Sequence, residues 1–147
     1  MTDTKTLTYS RTLPAAPARV AQALTDPAAR MAWGPPDADS VVQIEGQPVP
    51  APGVRDIARA GPRDNPYVDV TTDWIEISDS RVTYAESLAA EGEAFATSFA
   101  VLSLSAQGTQ TQLDATIFVA SFAGAEVLPE VEGGWVHALD ALARHLS

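Results

Sequence analysis

The stretch VLPEVEGGWVHALDALARHL, residues 127 to 146, decides the fold. It sets Leu128, Val131, Trp135, Ala138, Leu142 and Leu146 three or four apart, the spacing of one face of a long helix. Immediately before it, Thr111 to Ala120 alternates, with Leu113, Ala115, Ile117 and Val119 on one face, and reads as a strand. Further back, Ala94 to Ser105, Arg81 to Leu88 and Val68 to Ile77 read the same way. Turns are expected between them at Ala106 to Gln110, Ala89 to Gly92 and Asp79-Ser80. Val68, Val70, Thr72 and Trp74 share a face, as do Val82, Tyr84 and Leu88. Two shorter strands are expected at Ser40 to Glu45 and Gly53 to Ala60. The loop Gly46 to Pro52 divides them, and a turn cluster from Ala60 to Pro66 follows.

At the other end, Leu7 to Leu13 alternates and makes a first strand. Pro14-Ala15-Ala16-Pro17 ends it, and Pro17 suits the first position of a short helix, Ala18 to Leu24, with Val20, Ala23 and Leu24 inward. Asp26 is placed to cap a second helix, with Pro27 in its first turn. That helix runs from Ala28 to Trp33, where Gly34-Pro35-Pro36 breaks it. The order is one strand, two short helices, about six antiparallel strands and one long helix, which is an α+β architecture. A single helix closing over a curved sheet leaves a gap at its mouth, where a pocket for a small apolar molecule forms readily.

The chain has 147 residues, 46% of them hydrophobic. That suits one domain with a real core, and no repeat or linker divides residues 1–147. No apolar run approaches the roughly 18 residues of a membrane-spanning helix. Met1 to Lys5 lacks the basic-then-apolar layout of a signal peptide, so a cytoplasmic location is expected. There are no cysteines, which excludes disulfides and thiol catalysis, and the only histidines are His137 and His145. Nineteen acids against nine bases give a net charge of −10. Such a surface repels phosphate backbones and anionic lipid, so neither nucleic acid nor membrane is an expected partner. Eight of the nine bases are Arg, Lys5 being the exception, a bias that carries no mechanism.

Several segments in order resemble a known family. These are Arg11-Thr12-Leu13-Pro14-Ala15-Ala16-Pro17, Leu24-Thr25-Asp26-Pro27 and Trp33-Gly34-Pro35-Pro36. They continue with Val82-Thr83-Tyr84-Ala85-Glu86-Ser87, Gly108-Thr109-Gln110-Thr111-Gln112-Leu113, and Gly133-Gly134-Trp135 through Leu142. The set is similar to the activator-of-Hsp90-ATPase homologue type of START-like domain, over about residues 7 to 146. The resemblance implies the helix-grip (Bet v 1-like) fold and a role in binding small hydrophobic molecules between sheet and helix. It departs from the family at Ala32, where members often carry a second Trp before the Trp-Gly-Pro segment.

The pocket candidates on the sheet and the short helices are Trp33, Val70, Trp74, Tyr84, Leu113 and Ile117. On the long helix they are Val131, Trp135, Ala138 and Leu142. Each has a plainer reading. Trp135 is assigned first to core packing and only second to a pocket wall. Trp33 is either a lid anchor or a pocket residue. Gly133-Gly134 costs roughly 1 kcal/mol per Gly relative to Ala within a helix. Close approach of a strand, or a kink, is the first explanation, and ligand clearance the second. Arg11 and Glu86 are the polar anchors considered: an inward Arg11 would hold a carboxylate or pair with Glu86, and otherwise it is an edge arginine with its head in water.

No catalytic residue, metal or cofactor is assigned. His137 lies about 200° around the helix from Trp135 and should face solvent, and neither histidine has a partner at ligand spacing. There is no Gly-x-Ser-x-Gly elbow, phosphate loop or dinucleotide fingerprint. Three functions are then open: a non-enzymatic binding domain, which is preferred; a cyclase- or hydratase-like enzyme using the same pocket through Arg11, Tyr84 and Glu86; and an Hsp90-type co-chaperone. A homodimer through a sheet edge or the Pro-rich segment is allowed by the sequence but not specified by it.

Overall fold

The computed structural model describes residues 2–147. Its seven strands are β1 (Asp3–Leu13), β2 (Ser40–Ile44), β3 (Arg55–Pro62), β4 (Val68–Ile77), β5 (Arg81–Ala90), β6 (Glu93–Gln107) and β7 (Gln110–Ser121). They form one sheet in the order β1-β7-β6-β5-β4-β3-β2, antiparallel at every step. Helices α1 (Pro17–Thr25) and α2 (Pro27–Trp33) connect β1 at one edge to β2 at the other, and α3 (Val127–Leu146) follows β7. A long helix gripped by a curved antiparallel sheet is the helix-grip fold.

Alternation builds the sheet's inner face. Along β7, Leu113, Ala115, Ile117 and Val119 point inward and are buried, and their sequence neighbours are more exposed. Ala100, Leu102 and Leu104 of β6 continue that layer. The pairing with β5 skips Ile75 on β4 and Phe95 on β6, and such bulges bend a strand. At 20 residues, α3 is about 30 Å long. It rests on the β1 and β7 side of the sheet and against α1 and α2. The Lys5 ammonium meets the Glu132 carboxylate at 2.9 Å, and the Tyr9 hydroxyl donates to the Glu132 carbonyl at 3.3 Å, fastening α3 to β1.

The short helices follow from local chemistry. Pro17 and Pro27 each open a helix, where the missing N–H is no loss. The Asp26 carboxylate accepts from the Ala29 N–H at 2.9 Å, capping α2. At the far end of α2 the Trp33 indole N–H donates to the Ala23 carbonyl at 2.8 Å, pinning α2 to α1.

Some boundaries differ from the sequence expectation. β1 starts at Asp3 rather than Leu7, because pairing with β7 runs on to Ser121 through polar residues. The turn expected over Ala106 to Gln110 contracts to Gly108-Thr109, with Gln107 paired to Gln110. Similarly, Ala89 to Gly92 contracts to Glu91-Gly92, whose φ angles of 55° and 80° suit a two-residue hairpin turn. β3 is shifted along the chain, running to Pro62. Among the described residues no helix is long and apolar enough to cross a membrane.

Candidate functional site: a cavity between sheet and helix

Because α3 lies toward β1 and β7, the inner face of β3, β4 and β5 is left partly uncovered. A cavity of about 410 Å³ occupies that space, within the size range of small-molecule sites. Val70, Trp74 and Tyr84 form its sheet wall, Trp33 its α2 wall, and Val131, Trp135, Ala138 and Leu142 its α3 wall. All three tryptophans of the chain therefore line one cavity. They do not fill it.

The cavity has a polar end. Register places Asp56, Thr72 and Glu86 side by side on β3, β4 and β5, facing inward in one row. The Arg30 guanidinium descends from α2 and donates to Asp56 Oδ2 at 2.8 Å. The Trp74 indole N–H donates to the same oxygen at 2.9 Å. Arg30 also sits over the Trp74 ring, 5.1 Å from its centroid, a cation–π contact. Trp74 in turn meets Tyr84 edge to face at 5.2 Å. The Asp56 side chain is fully buried behind this group, and Arg30 is 13% exposed.

Two atoms here, Asp56 Oδ1 and Thr72 Oγ1, are buried without a hydrogen-bond partner. Glu86 faces the cavity beside them. Burial raises its pKa above the usual carboxyl value; Arg30 opposes the rise and Asp56 adds to it. Burial likewise raises the Tyr84 pKa, with Glu86 contributing in the same direction and Arg30 against it.

Three of the residues considered from sequence are placed elsewhere. Leu113 and Ile117 are fully buried in the packed core and do not reach the cavity. They belong to β7, whose inner face α3 covers. Arg11 is on β1, over the Tyr9 ring at 5.9 Å and donating to the Ser10 carbonyl at 3.1 Å. It neither lines the cavity nor pairs with Glu86. Glu86 does line the cavity, and the arginine near it is Arg30.

On α3 the buried residues are Leu139, Leu142 and Leu146, while Trp135 is half-buried, packs against the core and also lines the cavity. The close-approach explanation of Gly133-Gly134 is also overturned: a Cβ added at either glycine would meet nothing within 4 Å. Gly134 instead lines the cavity.

Sequence reasoning missed Arg30 and Asp56. The signals were present. Arg30 precedes Trp33 by three residues and so shares its helix face. Asp56 alternates with Ala58 on the inward side of β3, opposite Arg55 and Ile57.

A family model described as polyketide cyclase / dehydrase and lipid transport matches residues 4–147. The chain belongs to this family. Comparison with curated proteins returned no match. Among solved structures, an uncharacterised protein from Rhizobium leguminosarum aligns at 20% identity with a TM-score of 0.84, covering 99% of this chain and 96% of that one. The Mll3558 protein from Rhizobium loti aligns at 24% identity with a TM-score of 0.81, covering 99% of both chains. Ara h 8.0201 aligns at 14% identity with a TM-score of 0.70, covering 98% of both. At these identities the likeness speaks for the shared fold, while activity is argued from the site.

Proposed function

We propose that this protein is a container for a small amphipathic molecule, held in the cavity between β3–β5 and α3. The observation that carries the reading is the convergence of all three tryptophans on one cavity with a polar end. Aromatic walls supply apolar contact, and a few placed polar groups orient the guest. The family's association with cyclisation, dehydration and lipid transport supports a guest of this kind. Native mass spectrometry of freshly purified protein, set against the same sample denatured, tests it. An adduct lost on denaturation supports a captured guest and gives its mass. A bare protein mass that also stays bare after incubation with decanol, a small amphipathic alcohol, counts against it.

One observation favours a second reading as a cyclase- or hydratase-like enzyme. Tyr84 and Glu86 face the same cavity, and burial raises the Glu86 carboxyl pKa from its ordinary value, the direction that suits a general acid. Returning an extracted guest to the protein distinguishes the two. Unchanged guest mass supports the container; a guest lighter or heavier by one water supports the enzyme.

The finer kinship, with the activator-of-Hsp90-ATPase homologues, rests on the ordered sequence segments. Docking on an Hsp90-type ATPase is the weakest of the three uses, and an ATPase rate unchanged by excess protein would remove it.

A further inference from the structure

The polar end of the cavity has a definite chemical bias. Its charged lining residues are Arg30, Glu86 and Glu130. Arg30, the one cation of the set, is already committed: its Nη1 pairs with Asp56 at 2.8 Å and its plane lies over Trp74. Drawing Arg30 away to meet a guest carboxylate would strand the fully buried Asp56 side chain without its counter-charge.

The carboxyl and hydroxyl groups are in the opposite condition. Among the described residues neither the Glu86 carboxyl nor the Tyr84 hydroxyl has a hydrogen-bond partner, and both face the cavity. Thr72, 1% exposed, lines the same wall with its hydroxyl unpartnered. Thr72 is buried and Glu86 and Tyr84 are half-buried, and such groups need a partner once a guest excludes water from them. Glu86 and Thr72 are direct neighbours across β5 and β4; the Thr72 hydroxyl oxygen is itself buried, so Glu86 is the group a guest head meets first. Glu130 lines the α3 wall and the whole chain carries a net charge of −10, which repels an anionic guest before it arrives.

We infer that the cavity selects guests whose polar head is an uncharged or cationic hydrogen-bond donor, a hydroxyl, phenol or amine, received by Glu86 with Thr72 beside it, and that it discriminates against carboxylate heads. The selection rests on the container reading and names the class of guest for that site. The donor hydrogen satisfies Glu86, which accepts through an oxygen lone pair whether or not it is ionised.

The test is a titration read by tryptophan fluorescence, since every tryptophan lines the cavity. Decanol, decylamine and decanoate share one apolar chain and differ in the head. The expected result is that decanol and decylamine bind at least about ten-fold more tightly than decanoate, the effect of one net hydrogen bond. In Glu86→Leu that gap closes. In Glu86→Gln, which keeps an acceptor oxygen but no charge, decanol binding survives and decylamine binding falls.

Equal binding of all three overturns the head-group selection and leaves the container reading standing. A preference that persists in Glu86→Leu overturns the role of Glu86. Should Glu86→Leu not fold, the Glu86→Gln variant decides: decylamine binding undiminished there overturns that role as well. If none of the three binds, the container reading falls, and the selection with it.

Discussion

Arg30 and Asp56 meet at 2.8 Å, fastening α2 to β3 at the polar end of the cavity. Asp56 holds two donors on one oxygen, from Arg30 and Trp74, with its side chain fully buried. Removing one partner of a buried ion pair costs about 3–5 kcal/mol, because the other charge is left uncompensated. Asp56→Ala should therefore destabilise by that order in urea denaturation. The double replacement Arg30→Leu with Asp56→Leu should cost much less than Asp56→Ala alone. A small effect of Asp56→Ala would show that the pair does not hold α2 in place.

Glu86 predicts a pH dependence with a definite sign. Its native pKa is raised above the ordinary value of 4.5. Between 4.5 and the raised value the native state keeps a proton that the unfolded chain has released, so stability falls as pH rises through that window. Glu86→Gln removes this penalty. The variant should match the parent below about pH 4.5 and exceed it in melting temperature above the window. Asp73 and Asp114, whose pKa values are lowered by Arg55 and Ser10, act with the opposite sign, but below 3.8. Parallel melting curves for parent and Glu86→Gln across this range would contradict the assignment.

The two helical glycines should separate stability from binding. An added Cβ meets nothing at either position, so Gly133→Ala and Gly134→Ala should each stabilise by about 1 kcal/mol through helix propensity. Only Gly134 lines the cavity. Gly134→Ala should weaken decanol binding while Gly133→Ala leaves it unchanged, as measured by titration of each variant beside the parent.

Leu139 and Trp135 both line the cavity and differ in how much of the side chain the core takes up. Leu139 is 2% exposed and packed, so Leu139→Ala should cost about 2–5 kcal/mol. Trp135, half-buried against open space, should cost less than half as much on replacement by Ala, and should lose more binding. Equal destabilisation by the two changes would return Trp135 to the core.

Local signals were legible in the sequence, and relationships between distant elements were not. The α3 stripe, the β7 alternation and the Asp26-Pro27 helix start depend on neighbours a few residues away, and each matches the structure. Which inward residues line a cavity depends on where α3 comes to rest. Leu113 on β7 and Val70 on β4 look alike in sequence, yet α3 covers the first and leaves the second facing open space. The same holds for the arginines. Arg11 and Arg30 both sit beside aromatic residues, but Asp56, which selects Arg30, lies 26 positions along the chain from it. Apolar residues stand at both Ala138 and Leu139, and it is Leu139 that the core buries.

The central claim is that this cavity is where a small amphipathic molecule binds. Nuclear magnetic resonance on nitrogen-15-labelled protein titrated with decanol tests it most directly. The three indole N–H signals, from Trp33, Trp74 and Trp135, should all shift together and saturate. The backbone amides of Phe99 and Phe118, a paired couple on the exposed outer face of the sheet, should stay in place. Indole signals unmoved at saturating decanol, or shifts confined to Phe99 and Phe118, would contradict the account.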